Sequence, residues 1–186
     1  MDNLSINNTS LLISRLALDD SEEALRDLYK LYFDKLVRFV YLYIQSQNSV
    51  EEIVSDVFLS IWMNRKDLTN IQNFNAYILT IARNKAISHF RREEKYYSVS
   101  GEYPSDLYFN TETTPEDDYI SQELIRKFNK AINTLPPQCK VAFKLIREDK
   151  MKYKDAALVL NISIKTLEAH ITKATKILRR VLDDNI

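Results

Sequence analysis

The chain has a single glycine, Gly101, and only four prolines among its 186 residues. Hairpins, sandwiches and barrels need turn residues at regular intervals, and most of those turns use glycine or proline. Their scarcity therefore argues against a strand-rich fold. Hydrophobic residues make up 45% of the chain, which is enough to build a packed core. The sequence predicts an all-α protein.

Charge divides the chain into three blocks, although the net charge is zero. Residues 1–95 carry 12 basic and 13 acidic side chains, residues 96–118 carry six acids and no base, and residues 119–186 carry 14 bases and seven acids. The middle block also contains the glycine and two of the prolines, and it has no apolar period. We therefore expect two small helical domains, 21–95 and 119–186, joined by an acidic flexible linker over 96–118 and preceded by an N-terminal tail over 1–20.

Apolar periodicity predicts four helices in the first domain, over 21–32, 34–44, 50–63 and 75–95. Ser49 and Glu52 have the spacing of a capping box, which predicts the start of the third helix. The polar face of that helix is acidic and the second half of the fourth helix is basic, with a polar loop over 65–74 between them. The acidic face consists of Glu51, Glu52, Ser55, Asp56 and Ser60.

The second domain contains a bihelical pattern. We expect helices over 119–133 and 137–147, then a short helix over 153–160, a tight turn at Asn161 and a longer helix capped by Ser163. Asparagine tolerates the left-handed conformation that such a turn requires. The longer helix has apolar residues on one face and mixed polar and basic residues on the others, as base-edge and phosphate contacts require. An ordinary helical hairpin with a solvated face is the alternative, but the basic block favours a DNA-reading helix-turn-helix.

Metal and redox chemistry have little basis in the sequence. Cys139 is the only cysteine and is expected to pack in a core, while His89 and His170 are the only histidines. There is no glycine-rich phosphate loop and no nucleophile with an evident histidine partner. We therefore expect no metal, no cofactor and no enzymatic activity.

Two segments of the first domain, SVEEIVSDVFLSIWMNR and NFNAYILTIARNKAISHFRRE, resemble region 2 of the sigma-70 family in its extracytoplasmic-function (ECF) branch. The segment TLPPQCKVAFKLIREDKMKYKDAALVLNISIKTLEAHITKATKILRR resembles region 4 of the same branch. The resemblance covers about residues 21–182, and its two motif sets occur in the family's order. It departs from the family at Ser88, where aspartate is common, at Lys152, where serine or threonine is common, and at Asn161, where glycine is usual.

The resemblance implies a sigma factor that binds core RNA polymerase, directs it to promoters and helps to open the duplex. Its implied partners are the β′ clamp and β flap of the polymerase, promoter DNA and an anti-sigma factor. The implied polymerase-binding residues are Glu52, Ser55 and Asp56. The implied minus-ten residues lie in the loop 66–74, which would capture a flipped base, and on the basic helix: Asn70, Asn73, Phe74, Asn84, Lys85, Ser88, Arg91 and Arg92. The implied minus-thirty-five residues are Ser163, Lys165, Thr166, Glu168, Ala169, His170, Thr172, Lys173 and Lys176.

One rival class remains, a stand-alone helix-turn-helix regulator whose first domain senses a ligand. It accounts for the second block but not for an acidic helix face beside a basic helix in the first. No run of about 18 apolar residues occurs and the N-terminus lacks a signal-peptide pattern, so we expect a cytoplasmic protein without membrane insertion of its own.

Overall fold

The computed structural model describes residues 3–100 and 130–183, and all regular secondary structure in these two ranges is helical. The chain forms two compact units, Met1–Leu107 and Tyr108–Ile186. The division between them falls inside the predicted linker 96–118. The all-α prediction is confirmed, as is the separation into two small helical domains.

The first helix, α1, spans Asn3–Asp19, so the prediction of an N-terminal tail is wrong. Leu12, Leu16 and Ala17 are at most 5% exposed, because α1 packs on α2 and on a short helix that follows α3. The segment is rich in asparagine and serine, which are weak helix formers on their own. Tertiary packing of its apolar residues supplies the stability that local propensity lacks.

Helix α2 spans Glu22–Val40 as one continuous element, whereas two helices were predicted. Its start is as expected, since the Ser21 side chain accepts a hydrogen bond from the backbone N–H of Ala24 at 3.2 Å. Its buried face runs without interruption through Leu28, Tyr32 and Leu36. No glycine or proline lies between 32 and 34 to break the helix, so the break placed there is wrong.

Helix α3 spans Gln47–Met63 and begins one turn earlier than the sequence suggests. Ser46, not Ser49, caps it, and the Ser46 hydroxyl accepts from the backbone N–H of Ser49 at 3.4 Å. The capping box is therefore wrong, but the predicted apolar face is confirmed. Its buried members are Val50, Ile53, Val54, Val57, Phe58 and Ile61.

After α3, Arg65–Asn70 forms a short 3₁₀ helix within the segment predicted as a loop. Helix α4 then spans Phe74–Ser100 and buries Ile78, Ala82 and Ala86 against α2 and α3. It continues five residues beyond the predicted end at Lys95, so the linker boundary at 96 is wrong. The rest of the predicted linker lies outside the described residues.

In the second unit, residues 130–133 end a helix whose predicted earlier part, 119–129, lies outside the described residues. Helix α5 spans Pro137–Phe143 and continues as a π-helical turn, Lys144–Glu148. Helix α6, Tyr153–Leu160, has the predicted bounds, and α7, Ile164–Asp183, begins where predicted and completes the unit. The core position of Cys139 is confirmed.

Lys140 on α5 is a buried cation. Its side chain is completely enclosed, and its Nζ donates to the Asn133 side-chain oxygen at 2.7 Å. Burial, with a smaller effect of the neighbouring Lys144, lowers the pKa of Lys140 to about 8. Nothing in the sequence singles out Lys140 for burial, because basic residues are common throughout the block.

No helix in the parts of the chain that the structure describes is long and apolar enough to cross a membrane.

The α1 packing predicts unequal effects for two leucines on one helix. Leu16 is fully buried and Leu18 is 73% exposed. We expect Leu16→Ala to lower the free energy of unfolding of the first unit by about 2–4 kcal/mol, because it removes buried methyl groups and leaves a cavity. The matched Leu18→Ala should change it by less than about 0.5 kcal/mol. Urea denaturation of the two variants measures the difference, and equal effects would contradict the packing of α1.

Candidate nucleic-acid and polymerase interfaces

A groove of about 480 Å³ lies between α3 and α4 in the first unit. One wall carries Glu52 and Asp56, which were predicted to bind polymerase, and the other carries Asn84, Lys85 and Ser88, which were predicted to bind the minus-ten strand. The helices pack side by side through their apolar faces, which leaves the acidic edge of one next to the basic edge of the other. The two predicted sites are therefore neighbours and share this groove.

Asp56 and Lys85 join the two walls directly. The Lys85 Nζ lies 3.5 Å from a carboxylate oxygen of Asp56, and the two side chains are 30% and 52% exposed, respectively. Exposed ion pairs of this kind contribute little to stability. A partner that binds either side chain more strongly can therefore break this ion pair at a small cost in free energy.

Of the remaining acidic-face residues, Ser60 is half-buried and the other three, Glu51, Glu52 and Ser55, are exposed. The Ser55 hydroxyl donates to the backbone carbonyl of Glu51 at 2.8 Å, so its proton is already used within the helix. Ser55 therefore offers an outside partner mainly an acceptor, in keeping with the acids around it.

The loop predicted to capture a flipped base has two residues in structural roles. The Asn73 side-chain oxygen accepts from the backbone N–H of Ala76 at 3.0 Å and so caps α4. Phe74 is only 5% exposed, and its ring meets Tyr32 edge-to-face at 5.4 Å. The structure contradicts a base-stacking role for Phe74, because nearly all of its side chain is buried. Asn70 is exposed, as such contacts require.

The basic half of α4 presents its predicted residues on the surface. Asn84, Ser88, Arg91 and Arg92 are exposed. Arg83 donates to the side-chain oxygen of Asn84 at 3.1 Å.

Two residues near this surface were missed at the sequence level. Tyr77 lines the groove one turn before Ile81, and the spacing of Tyr77, Ile81, Asn84 and Ser88 along one helix face was the available signal. Asn75 has a buried side-chain oxygen without a hydrogen-bond partner within the protein, beside the start of α4. No feature of the sequence distinguishes that asparagine from Asn70 and Asn73.

The turn between α6 and α7 has the predicted geometry. Asn161 adopts the left-handed conformation, with φ 53° and ψ 48°. The Ser163 hydroxyl accepts from the backbone N–H of Thr166 at 3.0 Å and so caps α7. Both features are confirmed, and together they set the direction in which α7 leaves the turn.

Helix α7 buries one face and exposes the other. Leu167, Ile171, Ala174 and Leu178 are buried. The residues of the predicted reading face other than His170 are all exposed: Ser163, Lys165, Thr166, Glu168, Ala169, Thr172, Lys173 and Lys176. Short polar and long basic side chains thus share one surface, which suits contacts to base edges and phosphates.

His170 lies at the boundary of the reading face. It is half-buried, and its Nδ1 is 3.6 Å from the Sγ of Cys139 on α5. Burial raises the pKa of the Cys139 thiol, against a smaller opposing effect of Lys173, so the thiol stays protonated at neutral pH. His170 therefore faces α5 as well as solvent. Among the described residues, no group of three His, Cys, Asp or Glu side chains is placed to hold a metal ion.

Family models and related proteins all indicate the same family for this chain. Residues 28–96 match the family model for Sigma-70 region 2, and residues 125–178 match the model for Sigma-70, region 4. The ECF RNA polymerase sigma factor SigW of Bacillus subtilis is 24% identical over 170 residues, covering 88% of this chain and 91% of SigW. The ECF RNA polymerase sigma-E factor of Haemophilus influenzae is 23% identical over 174 residues, covering 90% and 91% of the two chains.

Solved structures show the same fold. The sigma factor RpoE of Bartonella quintana, solved with the anti-sigma factor NepR, superposes with a TM-score of 0.66 at 21% identity, over 85% of this chain and 96% of RpoE. CnrH, solved with the cytosolic domain of CnrY, gives a TM-score of 0.65 at 20% identity, over 96% and 99% of the chains. With a region 2 match on the first unit and a region 4 match in the second, the chain belongs to the ECF branch of the sigma-70 family of RNA polymerase sigma factors.

Proposed function

We propose that the protein directs core RNA polymerase to its promoters through three surfaces of the two units. The acidic face of α3 binds the β′ clamp, the groove side of α4 and the loop before it bind the opened minus-ten strand, and α7 reads the minus-thirty-five element. The observation that carries the proposal is the pairing of a region 2 unit, with acidic and basic helix faces on one groove, with a region 4 helix-turn-helix. Each surface has the chemistry its partner requires.

The two DNA contacts differ in physical character. The exposed face of α7 suits duplex DNA, because an α-helix fits the major groove, where each base pair presents a distinct set of donors and acceptors. The α4 surface suits a single strand, because amide and guanidinium groups hydrogen-bond unpaired base edges and neutralise phosphates. Asn84, Ser88, Arg91 and Arg92 supply those groups. Asn70 supplies an amide in the loop, whereas Phe74 does not contribute a stacking surface.

An anti-sigma protein is the proposed regulator. RpoE of Bartonella quintana is found in complex with an anti-sigma factor, and CnrH with the cytosolic domain of CnrY. A regulator of this kind blocks initiation most directly by covering the acidic face of α3, because that face is exposed and is the proposed polymerase contact. The proposal also places the protein in the cytoplasm, where polymerase and DNA are available, and assigns it no catalytic step of its own.

The decisive experiment is transcription in vitro with core RNA polymerase of the bacterium that encodes the chain, using genomic DNA and mapping of transcript starts. We expect discrete new start sites that depend on the protein, preceded by two shared sequence elements. Tight promoter binding by the protein alone, with no change in polymerase start sites, would instead support a stand-alone regulator.

Asp56→Arg tests the polymerase contact. We expect the variant to bind core polymerase about tenfold more weakly, because it inverts charge at the centre of the acidic face. Asp27→Arg on α2 is the matched control, since Asp27 also lies on the surface in an ion pair with a lysine, Lys30, at 3.5 Å. Titration of labelled core polymerase measures both. Equal affinity for Asp56→Arg and Asp27→Arg would remove the α3 face from the proposal.

Lys165→Glu tests the reading helix. We expect the holoenzyme to lose about tenfold in affinity for duplex DNA carrying the minus-thirty-five element, because the exposed cation is replaced by an anion facing phosphates. Affinity for core polymerase should stay unchanged. Lys30→Glu makes the same charge change on an exposed α2 residue and should leave both affinities unaltered. Parallel loss of polymerase and DNA binding in Lys165→Glu would indicate misfolding, not a lost DNA contact.

A further inference from the structure

The short 3₁₀ helix Arg65–Asn70 is weakly stabilised and lies directly before the loop that is proposed to bind the minus-ten strand. Runs of this geometry longer than three or four residues are uncommon, and this one has six residues and no side-chain hydrogen bond at its N-cap. Leu68 is its only buried side chain, at 1% exposed. Asn70 ends the helix and begins the loop that leads into α4. The position of that loop therefore depends on contacts that fix the 3₁₀ helix from outside.

One such contact comes from the residue directly after α1. Asp20 has a carboxylate whose two oxygens take different partners, Arg65 through its Nε and Lys66 through its Nζ, the latter at 2.9 Å. Both partners are the first residues of the 3₁₀ helix. We call these three residues, Asp20, Arg65 and Lys66, the Asp20 clamp. Its two cations lower the pKa of the Asp20 carboxyl, so the clamp is fully charged at neutral pH.

The clamp is also tied to α3. The guanidinium of Arg65 lies 4.3 Å from the centre of the Trp62 ring, and its Nη1 donates to the Trp62 backbone carbonyl at 2.9 Å. Arg65 thus uses its planar fork on three groups at once, which a lysine could not do. The carboxylate of Asp20 therefore links the end of α1, the end of α3 and the start of the 3₁₀ helix.

The backbone of Asp20 indicates that its side chain has a purpose beyond ending the helix. Asp20 adopts φ 51°, and the next backbone N–H, on Ser21, bonds back to the Arg15 carbonyl at 3.4 Å, as at many left-handed helix ends. Glycine is the residue that fits such a position without steric cost. Aspartate is less favourable than glycine in this conformation, and the group that it supplies and glycine lacks is the carboxylate of the clamp.

We propose that Asp20 is a positioning residue for promoter opening: through Arg65 and Lys66 it fixes the 3₁₀ helix, and thereby the loop that receives the minus-ten strand. The inference rests on the proposed function of that loop. It assigns α1, which precedes the region 2 match at residue 28, a part in promoter recognition. An exposed ion network contributes little to global stability, so its effect should be on loop position and not on folding.

Three substitutions distinguish an effect on the position of the loop from an effect on folding. Asp20→Asn removes the charge and keeps a residue that tolerates the left-handed conformation. Asp20→Gly removes the carboxylate and relieves the backbone cost, so it should be at least as stable as the unaltered protein. Glu23→Gln is the matched control, because Glu23 pairs with Arg15 at 2.8 Å on the surface near the same helix end but does not touch the 3₁₀ helix.

The experiment uses the full chain with core polymerase on a duplex promoter taken from the mapped start sites. We expect Asp20→Asn and Asp20→Gly to reduce open-complex formation about three- to fivefold, the range of a lost surface ion pair, and to weaken discrimination between the natural minus-ten sequence and single-base changes in it. Affinity for core polymerase, binding of minus-thirty-five duplex and thermal stability should match those of Glu23→Gln.

Two results would overturn the proposal. One is open-complex formation and base discrimination in both Asp20 variants equal to those of Glu23→Gln. The other is full additivity with Arg65→Gln: because Asp20 and Arg65 share one contact, the effect of the double variant should be smaller than the sum of the two single effects. If the unaltered protein itself fails to start transcription with core polymerase, the proposed function fails, which is a result distinct from either of these.

Discussion

The apolar face of α3 is the constraint on which the first unit depends. Val50, Val54, Val57 and Ile61 are fully buried on it, and α2 and α4 pack against that helix. Because side chains three and four positions apart share a helix face, burying these residues forces the acidic positions outward. The same packing brings α4 alongside, so that its polar edge completes the groove. Core packing thus determines where the charged surfaces lie.

This arrangement makes the two proposed contacts of the first unit interdependent. Asp56 and Lys85 are assigned to different partners, yet in the free protein they pair with each other. Under the proposed assignments, polymerase at the acidic face releases Lys85, and a nucleic-acid phosphate at Lys85 releases Asp56. Since the pair is exposed and weak, breaking it costs little free energy. Binding of one partner therefore makes binding of the other only slightly more favourable. The resulting coupling is modest, and it favours engagement of strand and polymerase together.

The sequence was sufficient for the fold class, for α6 and α7, and for the exposure of most of the proposed site residues, because each depends on periodicity or on a local cap. It was insufficient where tertiary packing decides. The helical state of α1 depends on burying Leu16, and the continuity of α2 depends on a face that only the assembled core uses. Phe74 shows the same limit at the site, because an aromatic residue in a polar loop is a good candidate for stacking until its burial is known. The Asp56–Lys85 pair joins residues 29 positions apart and has no local signature.

Because glycine is scarce, residues other than glycine occupy left-handed conformations where the chain turns. Asp20, Lys150 and Asn161 all adopt positive φ, each with a side chain that glycine would lack. Asn161 is the least costly of these, since asparagine tolerates the left-handed region best among the three. Asp20 gains two cationic partners in return for its conformation. A left-handed residue that carries a functional side chain couples the direction of the chain to a contact elsewhere, and at Asp20 that contact reaches the element leading into the minus-ten loop. The end of α1 is therefore part of the geometry of the proposed promoter surface, and not only a boundary of the fold.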